Sequence, residues 1–280
     1  MNTGLPKISI VTPSFNQGEF LEQTMLSVLD QGYQNLEYIV LDGGSSDGSV
    51  ELIQKHASRL TNWRSTPDHG QAAALSEGFE MATGDILGWV NSDDLLAPGA
   101  LMHVAEAWMK RPEILMAGGC QVFGGERDSP PHFPMFQNAP GPEPLPIVRM
   151  LDMAMHWFPG EFFYQPEVFF PKKAYVEVGG IDPSYFYTMD YDLWMRFALH
   201  GLDVVVLPQV LAFYREHPGQ KTFDLDALHR EMVRTANRYL KDARVPLSPM
   251  RRRLMAASNT LAVRPVTRRA VEEFRRLFGG

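Results

Sequence analysis

The chain has 280 residues, of which 45% are hydrophobic and 21% charged, and its formal net charge is −7. These values are typical of a folded globular protein and exclude a disordered chain or a fibrous repeat, while the length allows one large domain or two small ones. The sequence has neither a signal-peptide pattern at its start nor an uncharged segment long enough to cross a bilayer, so we expect a cytoplasmic protein.

The first 90 residues predict strands that alternate with helices. Apolar, β-branched runs indicate the strands, and apolar residues three or four positions apart indicate the helices. The predicted strands cover 7–11, 38–41 and 86–90, and the predicted helices cover 21–29, a segment that begins at 50, and 71–82. This order is typical of a three-layer α/β/α domain with a mostly parallel central sheet, in which ligands bind beyond the carboxyl ends of the strands.

Each of these strands ends in a polar segment, and the three segments are 12–16, 42–48 and 91–94. If the strands are neighbours, the segments line one crevice and form a candidate ligand site. The last segment, Asn91-Ser92-Asp93-Asp94, carries two carboxylates, which suit Mg²⁺ or Mn²⁺ together with the phosphates of a substrate. A polar turn or a helix cap is the alternative for this segment taken alone.

The second half of the chain is less regular. Residues 126–147 are rich in Pro and Gly and predict a long surface excursion, of the kind that often forms a lid or a binding loop. Beyond it we predict a strand at 168–170, a helix at 190–199, and two strands at 204–207 and 211–214. Cys120 is the single cysteine of the chain, which excludes an internal disulfide, and we expect it to pack in the core.

The C-terminal segment is strongly basic. Residues 250–280 contain eight Arg and two Glu, which gives +6 and leaves −13 for residues 1–249. Residues 266–278 predict a basic amphipathic helix, which would bring the protein to the inner face of an anionic membrane as a peripheral protein. A solvated or docked helix is the alternative. Nucleic acid is disfavoured as a partner, because the rest of the chain is acidic and no stripe of aromatic and basic residues accompanies the arginines.

Taken in order, the polar segments and their neighbours resemble the family 2 glycosyltransferases, which are inverting sugar transferases with a GT-A fold. The matching segments are ISIVTPSFN at 8–16, LDGGSSDG at 41–48, DHGQAAAL at 68–75, GF at 78–79, ATGD at 82–85, NSDD at 91–94, GGID at 179–182 and MDYDLWMR at 189–196. The resemblance implies a nucleotide-sugar-dependent GT-A domain at 1–222, with a donor half at about 1–125 and an acceptor half at about 126–222. Residues 223–280 are then a helical, basic C-terminal extension.

The resemblance also implies roles for the residues of the crevice. A divalent metal, Mn²⁺ or Mg²⁺, would stabilise the diphosphate of the donor, with Asp93 as its first protein ligand and Asp94 and His217 in support. Asn91 replaces the first acid of the family's metal motif, which puts the affinity and identity of the metal in doubt. The donor-binding residues are Thr12, Pro13, Phe15, Asp42, Ser45, Asp47, Gly70, Gln71, Asn91 and Asp93.

Asp42 matches the family's base-binding carboxylate, which favours a UDP- or dTDP-sugar. A turn in which the Asp42 side chain bonds its own backbone is the alternative.

The family places its catalytic carboxylate at the start of a helix, and Asp190 falls at that position. Met189 replaces a second acid found in many members, so Asp190 alone would take the proton of the acceptor hydroxyl. The acceptor would be a glycan or a lipid-linked molecule in the synthesis of cell-envelope polysaccharide, glycolipid or lipopolysaccharide. Glu167 and Trp194 are the predicted acceptor-binding residues, with core packing as the alternative for Trp194.

Two other functions are weighed against the transferase. Asn91 and Met189 each remove an expected acid, which leaves open a nucleotide-sugar-binding module without turnover. The retained Asp93 and Asp190 argue against it. A dinucleotide-dependent oxidoreductase is disfavoured, because residues 12–18 lack the Gly-rich fingerprint of such enzymes.

Overall fold

A curled sheet runs through the protein in the computed structural model, which describes residues 4–125, 129–135, 139, 141–158 and 160–263. Nine strands belong to this sheet. In chain order they are β1 Ile8–Ser14, β2 Leu36–Asp42, β3 Asn62–Ser65, β4 Ile86–Trp89, β5 Leu95–Leu96, β6 Leu115–Phe123, β7 Glu143–Pro144, β8 Val168–Pro171 and β9 Asp203–Arg215.

Helices pack on both faces of the sheet, as the three-layer prediction requires. They are α1 Gly18–Leu29, α2 Ser49–His56, α3 Gln71–Met81, α4 Ala100–Lys110, α5 Ile147–Met150, α6 Lys172–Glu177, α7 Met189–His200, α8 Leu225–Tyr239 and α9 Pro249–Ala262. Short 3-10 turns at Ala57–Arg59, Gln165–Glu167 and Lys221–Phe223 and a π-helical turn at Met153–Trp157 complete the described helical segments. Among them, no helix is both long and apolar enough to cross a bilayer.

The strand order is β3-β2-β1-β4-β8-β6-β9-β5, and β7 pairs with β9. The first four strands are parallel, as are β6 and β9, whereas β5, β7 and β8 run antiparallel to their partners. The sheet is therefore parallel in its N-terminal half and mixed beyond β4. Because β1 lies between β2 and β4, the three predicted polar segments do meet at one edge of the sheet.

Two apolar layers hold α3 and the helices around it in place. One layer packs α3, α7 and α8 against one face of the sheet, and the other packs α1, α2 and α4 against the opposite face. Helix α3 approaches β1 so closely that a Cβ added to Gly78 would lie 2.5 Å from Cγ1 of Val11. Glycine is therefore required at this crossing, and the close packing sets the position of the N-terminus of α3 at the site edge.

The structure corrects one strand prediction in the second half of the chain. Residues 204–207 and 211–214 belong to the single strand β9, which continues through Pro208. The pairing of β9 with β6 is irregular at this point, since its register shifts between Ala117 and Cys120. A bulge of this kind accommodates proline, which cannot donate a ladder hydrogen bond. Cys120 is fully buried, as predicted.

The C-terminal extension is helical where it is described. Helix α8 buries Val233, Ala236 and Tyr239 in the same apolar layer as α7, and α9 packs on α8 and on the π-helical turn. Arg252 joins the two helices, because its guanidinium donates to the carbonyl oxygens of Leu240, Asp242 and Val245. The amphipathic helix predicted at 266–278 lies outside the described residues, and the domain boundary at 222 stays a prediction.

Candidate functional site

The loops that follow β1 and β2 are bound to each other. Asn16 donates its backbone N–H to Oγ of Ser45 at 2.7 Å, and Gly18 donates its own to Oδ2 of Asp47 at 2.8 Å. An open cleft of about 380 Å³ lies beside them, and its lining includes Asn16, Phe20, Asp47, His217 and Pro218. Ser45 and Asp47 lie in one segment and His217 in a distant one, and the fold brings all three to this edge.

Asp42 is fully buried at the end of β2, and its carboxylate is occupied by nearby donors. Oδ2 accepts from the backbone N–H of Ser45 at 2.8 Å and from Oγ of Ser65 at 2.6 Å, and Oδ1 accepts from Oγ of Ser45. This arrangement matches the alternative in which Asp42 orders its own turn. A direct contact between Asp42 and a nucleotide base stays a prediction.

The three donor-binding residues predicted around the end of β1 differ in their exposure to solvent. Phe15 is 61% exposed, and its ring lies beside Gly43 of the neighbouring loop, so it offers a free aromatic face at the cleft edge. Thr12 and Pro13 are buried within β1, and Oγ1 of Thr12 bonds the hydroxyl of Tyr38 at 2.9 Å. Thr12 and Pro13 are therefore buried strand residues, and their role as a wall of the crevice stays a prediction.

The turn after β4 places Asp93 opposite the loop after β9. Oδ2 of Asp93 lies 3.1 Å from Nε2 of His217, and both side chains keep partial access to solvent. Arg215 supports this pair, because its Nε donates to the carbonyl oxygen of Asp93 at 2.8 Å. Two residues that are 124 positions apart in sequence thus present a carboxylate and an imidazole side by side.

Asp94 points away from this pair, into the protein. Its Oδ1 accepts from the backbone N–H of Arg215 at 3.0 Å, and its Oδ2 accepts from Nδ2 of Asn91 at 3.2 Å. Burial and the charge of Asp93 raise the pKa of Asp94 well above its usual value, which favours the neutral acid. The predicted metal role of Asp94 is therefore not supported, and its contacts instead join the turn to the end of β9.

A chain of hydrogen bonds connects Asn91 to the other side of the cleft. Oδ1 of Asn91 accepts from Nε2 of Gln71 at 2.8 Å, and Oε1 of Gln71 accepts from Nζ of Lys221 at 3.0 Å. Gln71 is the first residue of α3, and Gly70 before it has a φ of 99°, a conformation that favours glycine. Gln71, Asn91 and Lys221 thus form one hydrogen-bonded group next to Gly70, and the donor-binding role of Gly70, Gln71 and Asn91 stays a prediction.

Asp190 lies in the first turn of α7, where the N-terminal dipole favours a negative charge. Its Oδ1 accepts from the backbone N–H of Tyr191 at 2.7 Å. Burial raises the pKa of Asp190 to about 6, although this hydrogen bond and the charge of Lys221 act in the opposite direction. A carboxylate with such a pKa is basic enough to accept a proton near neutral pH.

The segment before Asp190 is fixed from the C-terminal extension. Oε1 of Glu231, on α8, accepts from the backbone N–H groups of Tyr187 and Thr188, each at 2.8 Å, and from Oγ1 of Thr188 at 2.9 Å. One turn inside α7, the buried Asp192 bonds Arg238 of α8 at 2.6 Å and Arg196 at 2.8 Å. Helix α8 therefore sets the position of the helix start that carries Asp190.

The two residues predicted to bind the acceptor are both enclosed by protein. Trp194 is 1% exposed and stacks on Trp89 with ring centroids 5.8 Å apart, so it belongs to the aromatic core. Glu167 is 0% exposed, its Oε1 accepts from the backbone N–H of Tyr164 at 3.2 Å, and burial raises its pKa well above the usual value. Both side chains are buried in this structure, so Trp194 matches the core alternative, and an acceptor contact of Glu167 stays a prediction.

Lys221 and Glu231 are site residues that sequence reasoning missed. Both lie beyond the last motif that could be matched, and each reaches the site through a partner more than 40 positions away. The position of Lys221, directly after the loop of His217, was the one available signal. Glu231 carries no such signal, since a glutamate in a helix is usually a solvated residue.

The residues present suit one divalent metal ion held jointly with a ligand. In the described part of the chain no group of three or more His, Cys, Asp and Glu side chains forms a metal cluster. Asp93 and His217 offer an oxygen and a nitrogen at a partly open place, and hard cations such as Mg²⁺ commonly combine one or two protein ligands with phosphate oxygens and water. The pair fits an ion of this class.

Comparisons with known proteins agree on one family. Residues 9–173 match the family model described as glycosyl transferase family 2. An uncharacterized glycosyltransferase of Rickettsia typhi is 26% identical over 223 residues, which are 79% of this chain and 67% of that protein.

Two solved structures share the fold. S. aureus TarS 1–349 in complex with UDP-GlcNAc superposes with a TM-score of 0.68 at 14% identity. The superposition covers 91% of this chain and 72% of the TarS chain. The mannosyltransferase PcManGT from Pyrobaculum calidifontis, in complex with GDP-Man and Mn²⁺, has a TM-score of 0.55 at 17% identity and covers 99% of this chain and 88% of its own. At these identities the likeness is one of fold.

Proposed function

Because the chain belongs to glycosyl transferase family 2 and is a glycosyltransferase, we propose that it moves a sugar from a nucleoside-diphosphate sugar to an acceptor hydroxyl with inversion of the anomeric centre. The observation that carries this proposal is the convergence of Asp93, His217, Gln71 and Asp190 around one edge of the sheet. A single displacement needs a base on one side of the anomeric carbon and a stabilised leaving group on the other.

Asp190 is the proposed general base. Its carboxylate sits at a helix start, is held by the N–H of Tyr191, and has a pKa raised to about 6 by burial. In the reaction the Asp190 carboxylate takes the proton from the acceptor hydroxyl while that oxygen forms the new bond to the anomeric carbon. The bond from the anomeric carbon to the diphosphate breaks in the same step, and the electron pair leaves with the nucleoside diphosphate.

The other end of the site binds the donor. The proposed contacts with the donor are made by Phe15, Ser45, Asp47, Gly70, Gln71 and Asn91. Asp93 and His217 would hold a divalent metal, Mn²⁺ or Mg²⁺, which when bound supplies a Lewis acid for the charge of the departing diphosphate. PcManGT is solved with GDP-Man and Mn²⁺, which supports this class of donor and ion. We favour a UDP- or dTDP-sugar, because Asp42 stands at the family's base-binding position and TarS is solved with UDP-GlcNAc.

A binding module without turnover is the weaker alternative. It would need a site that has lost its base, yet Asp190 is present at the start of α7 with a polar, partly accessible carboxylate. Glu231 also holds the segment before it with a set of hydrogen bonds, an arrangement that a mere binding site does not require.

We expect nucleotide sugars to raise the melting temperature of the protein, because a ligand that binds the folded state alone stabilises it in proportion to ln(1 + [L]/Kd). At a donor concentration of about 100 times Kd the stabilisation is about 2.7 kcal/mol. The measurement is a thermal-shift screen of UDP-, dTDP- and GDP-sugars with and without Mn²⁺, with the matching nucleosides as controls. If no donor shifts the melting temperature in either condition, a nucleotide-sugar enzyme is the wrong assignment.

We further propose that α9 contacts an anionic membrane surface. Met250, Leu254 and Leu261 are large apolar side chains left exposed on this helix, and the exposed Arg251 and Arg253 lie among them. Exposed apolar area beside arginines is what binds a helix to anionic headgroups. A peripheral position would bring the site to a lipid-linked acceptor.

The variant Arg251→Ala/Arg253→Ala should bind anionic vesicles more weakly than the wild type. Each arginine near such a surface contributes about 1 kcal/mol, so the loss of two lowers the partition coefficient by roughly 30-fold. Cosedimentation with phosphatidylglycerol vesicles measures it. Arg59→Ala/Arg111→Ala, which removes the same charge from two other exposed sites, is the matched control and should change binding much less. Equal binding by all three proteins would remove the proposed role of α9.

A further inference from the structure

Lys221 is a half-buried cation without a direct ionic partner among the described residues. Its Nζ donates to Oε1 of Gln71 at 3.0 Å and lies 4.0 Å from the ring centroid of Phe186. Burial lowers its pKa to about 8, and the more distant charges of Glu231 and Asp190 only partly oppose this. By contrast, Lys7, Lys55 and Lys173 each lie within 2.9 Å of a glutamate oxygen.

An ammonium group in such a place is costly unless an anion joins it, because burial removes hydration that an amide oxygen and a ring replace only in part. The direct partner, Gln71, is a neutral carboxamide at the N-terminus of α3. That helix end is itself favourable for an anion, since its backbone N–H groups and dipole point outward. Two independent features, a cation without an ion pair and a helix N-terminus, therefore meet at one point.

The hydrogen bonds of Gln71 locate this cation and the helix N-terminus within the site. Gln71 bonds Asn91, the first residue of the turn that carries Asp93, and the charge of Asp190 also acts on Lys221. Lys221 is thus linked both to the turn that carries the proposed metal ligand and to the proposed base. The negative charge of the leaving group develops in this part of the site in the proposed reaction.

We propose that Lys221 binds the diphosphate of the donor and stabilises it as it departs, an inference that rests on the proposed function. The ammonium forms charge-assisted hydrogen bonds to phosphate oxygens, which are stronger than its present bond to Gln71. Asn91, the residue of the turn that Gln71 bonds, is neutral and offers this cation no carboxylate. Lys221 and the metal pair Asp93 and His217 then share the charge of the diphosphate.

The test is the affinity for UDP and uridine, and for GDP and guanosine, measured by isothermal titration with Mn²⁺ and again with EDTA. Lys221→Met should weaken the binding of the nucleoside diphosphate by about 10- to 100-fold and that of the nucleoside by less than about twofold, because only the diphosphate has the oxygens that Lys221 bonds. Lys221→Arg, which keeps the charge, should restore most of the loss. Lys172→Met is the matched control, since Lys172 is another half-buried lysine bonded to a neutral oxygen, that of Ala82, and should alter neither ligand.

The outcomes distinguish a failure of the role proposed for Lys221 from a failure of the proposed nucleotide-sugar transferase function. If the wild type binds neither diphosphate, both proposals fall. If it binds one, and Lys221→Met binds it equally well while transfer slows, Lys221 acts on Asp190 and the diphosphate role is wrong. An equal loss for diphosphate and nucleoside also overturns it, because a general disturbance of the cleft then explains the effect. Melting temperatures of each variant establish that the proteins compared are folded.

Discussion

Replacing Asp190 with Asn is expected to lower kcat for sugar transfer by about 10²- to 10⁴-fold, the range that a positioned general base supplies. Asparagine has nearly the same shape, and its amide oxygen can still accept from the N–H of Tyr191. It cannot take a proton from the acceptor hydroxyl. The affinity for the donor should change by less than about twofold, since no contact with the donor is lost.

The pH dependence of the wild type provides a second measurement of the same assignment. A base acts only when deprotonated, and burial raises the pKa of Asp190 to about 6 in the free enzyme. We therefore expect kcat/KM to be constant above this pH and to fall about tenfold per pH unit below it. The Asn variant should lack this acid limb.

Asp182→Asn is the control for this experiment. Asp182 also accepts a backbone N–H, that of Ser184 at 2.9 Å, but it lies in the turn before α7 and has no proposed role in transfer. Its replacement should leave kcat within about twofold of the wild type, as expected for surface substitutions away from special contacts. Undiminished transfer by Asp190→Asn would identify another group as the base.

Asp93→Ala should abolish the gain in donor affinity that Mn²⁺ provides. Removing this carboxylate leaves His217 as the sole member of the pair, and the loss of a charged contact costs about 2 to 3 kcal/mol, or roughly 30- to 150-fold in Kd. The measurement is titration of the donor identified by thermal shift, with Mn²⁺ and with EDTA. The difference between the two conditions should be large for the wild type and near zero for Asp93→Ala.

Asp94→Asn serves as the comparison, because the sequence predicts a metal ligand at this position whereas the structure places its carboxyl group against Arg215 and Asn91. We expect this variant to keep the Mn²⁺-dependent gain and to lose stability instead, since a buried hydrogen-bond network is altered. Loss of the Mn²⁺ effect in Asp94→Asn, with none in Asp93→Ala, would exchange the roles of the two residues.

The sequence predicts the half of the site that depends on neighbouring strands. Strand periodicity and the polar segments at 42–48 and 91–94 suffice to bring Asp47 and Asp93 to one edge, because parallel strands share an orientation. Side-chain direction is harder to predict. Thr12 follows an apolar run and Trp194 follows an acidic helix start, yet both point into the core, since the faces that they occupy are covered by other elements.

Contacts over long sequence separations explain the remaining differences. Lys221 meets Gln71 across 150 positions, and Glu231 meets Thr188 across 43, distances at which periodicity carries no information. The burial of Glu167 is equally hard to predict, because the strands that contact its turn come from other parts of the chain. Family motifs identify residues such as Asp93 and Asp190, which are proposed to act in the reaction. Residues such as Glu231, which fix the position of these residues, come from segments without a recognisable motif.

The hydrogen bonds of Glu231 also determine when the helix start that carries Asp190 can fold during synthesis of the protein. Domains fold as the chain emerges, from the N-terminus onward. The N–H groups of Tyr187 and Thr188 have no bond to Glu231 until α8 has left the ribosome and packed on α7. The helix start that carries Asp190 therefore reaches its described geometry only after the chain has been synthesised beyond Glu231.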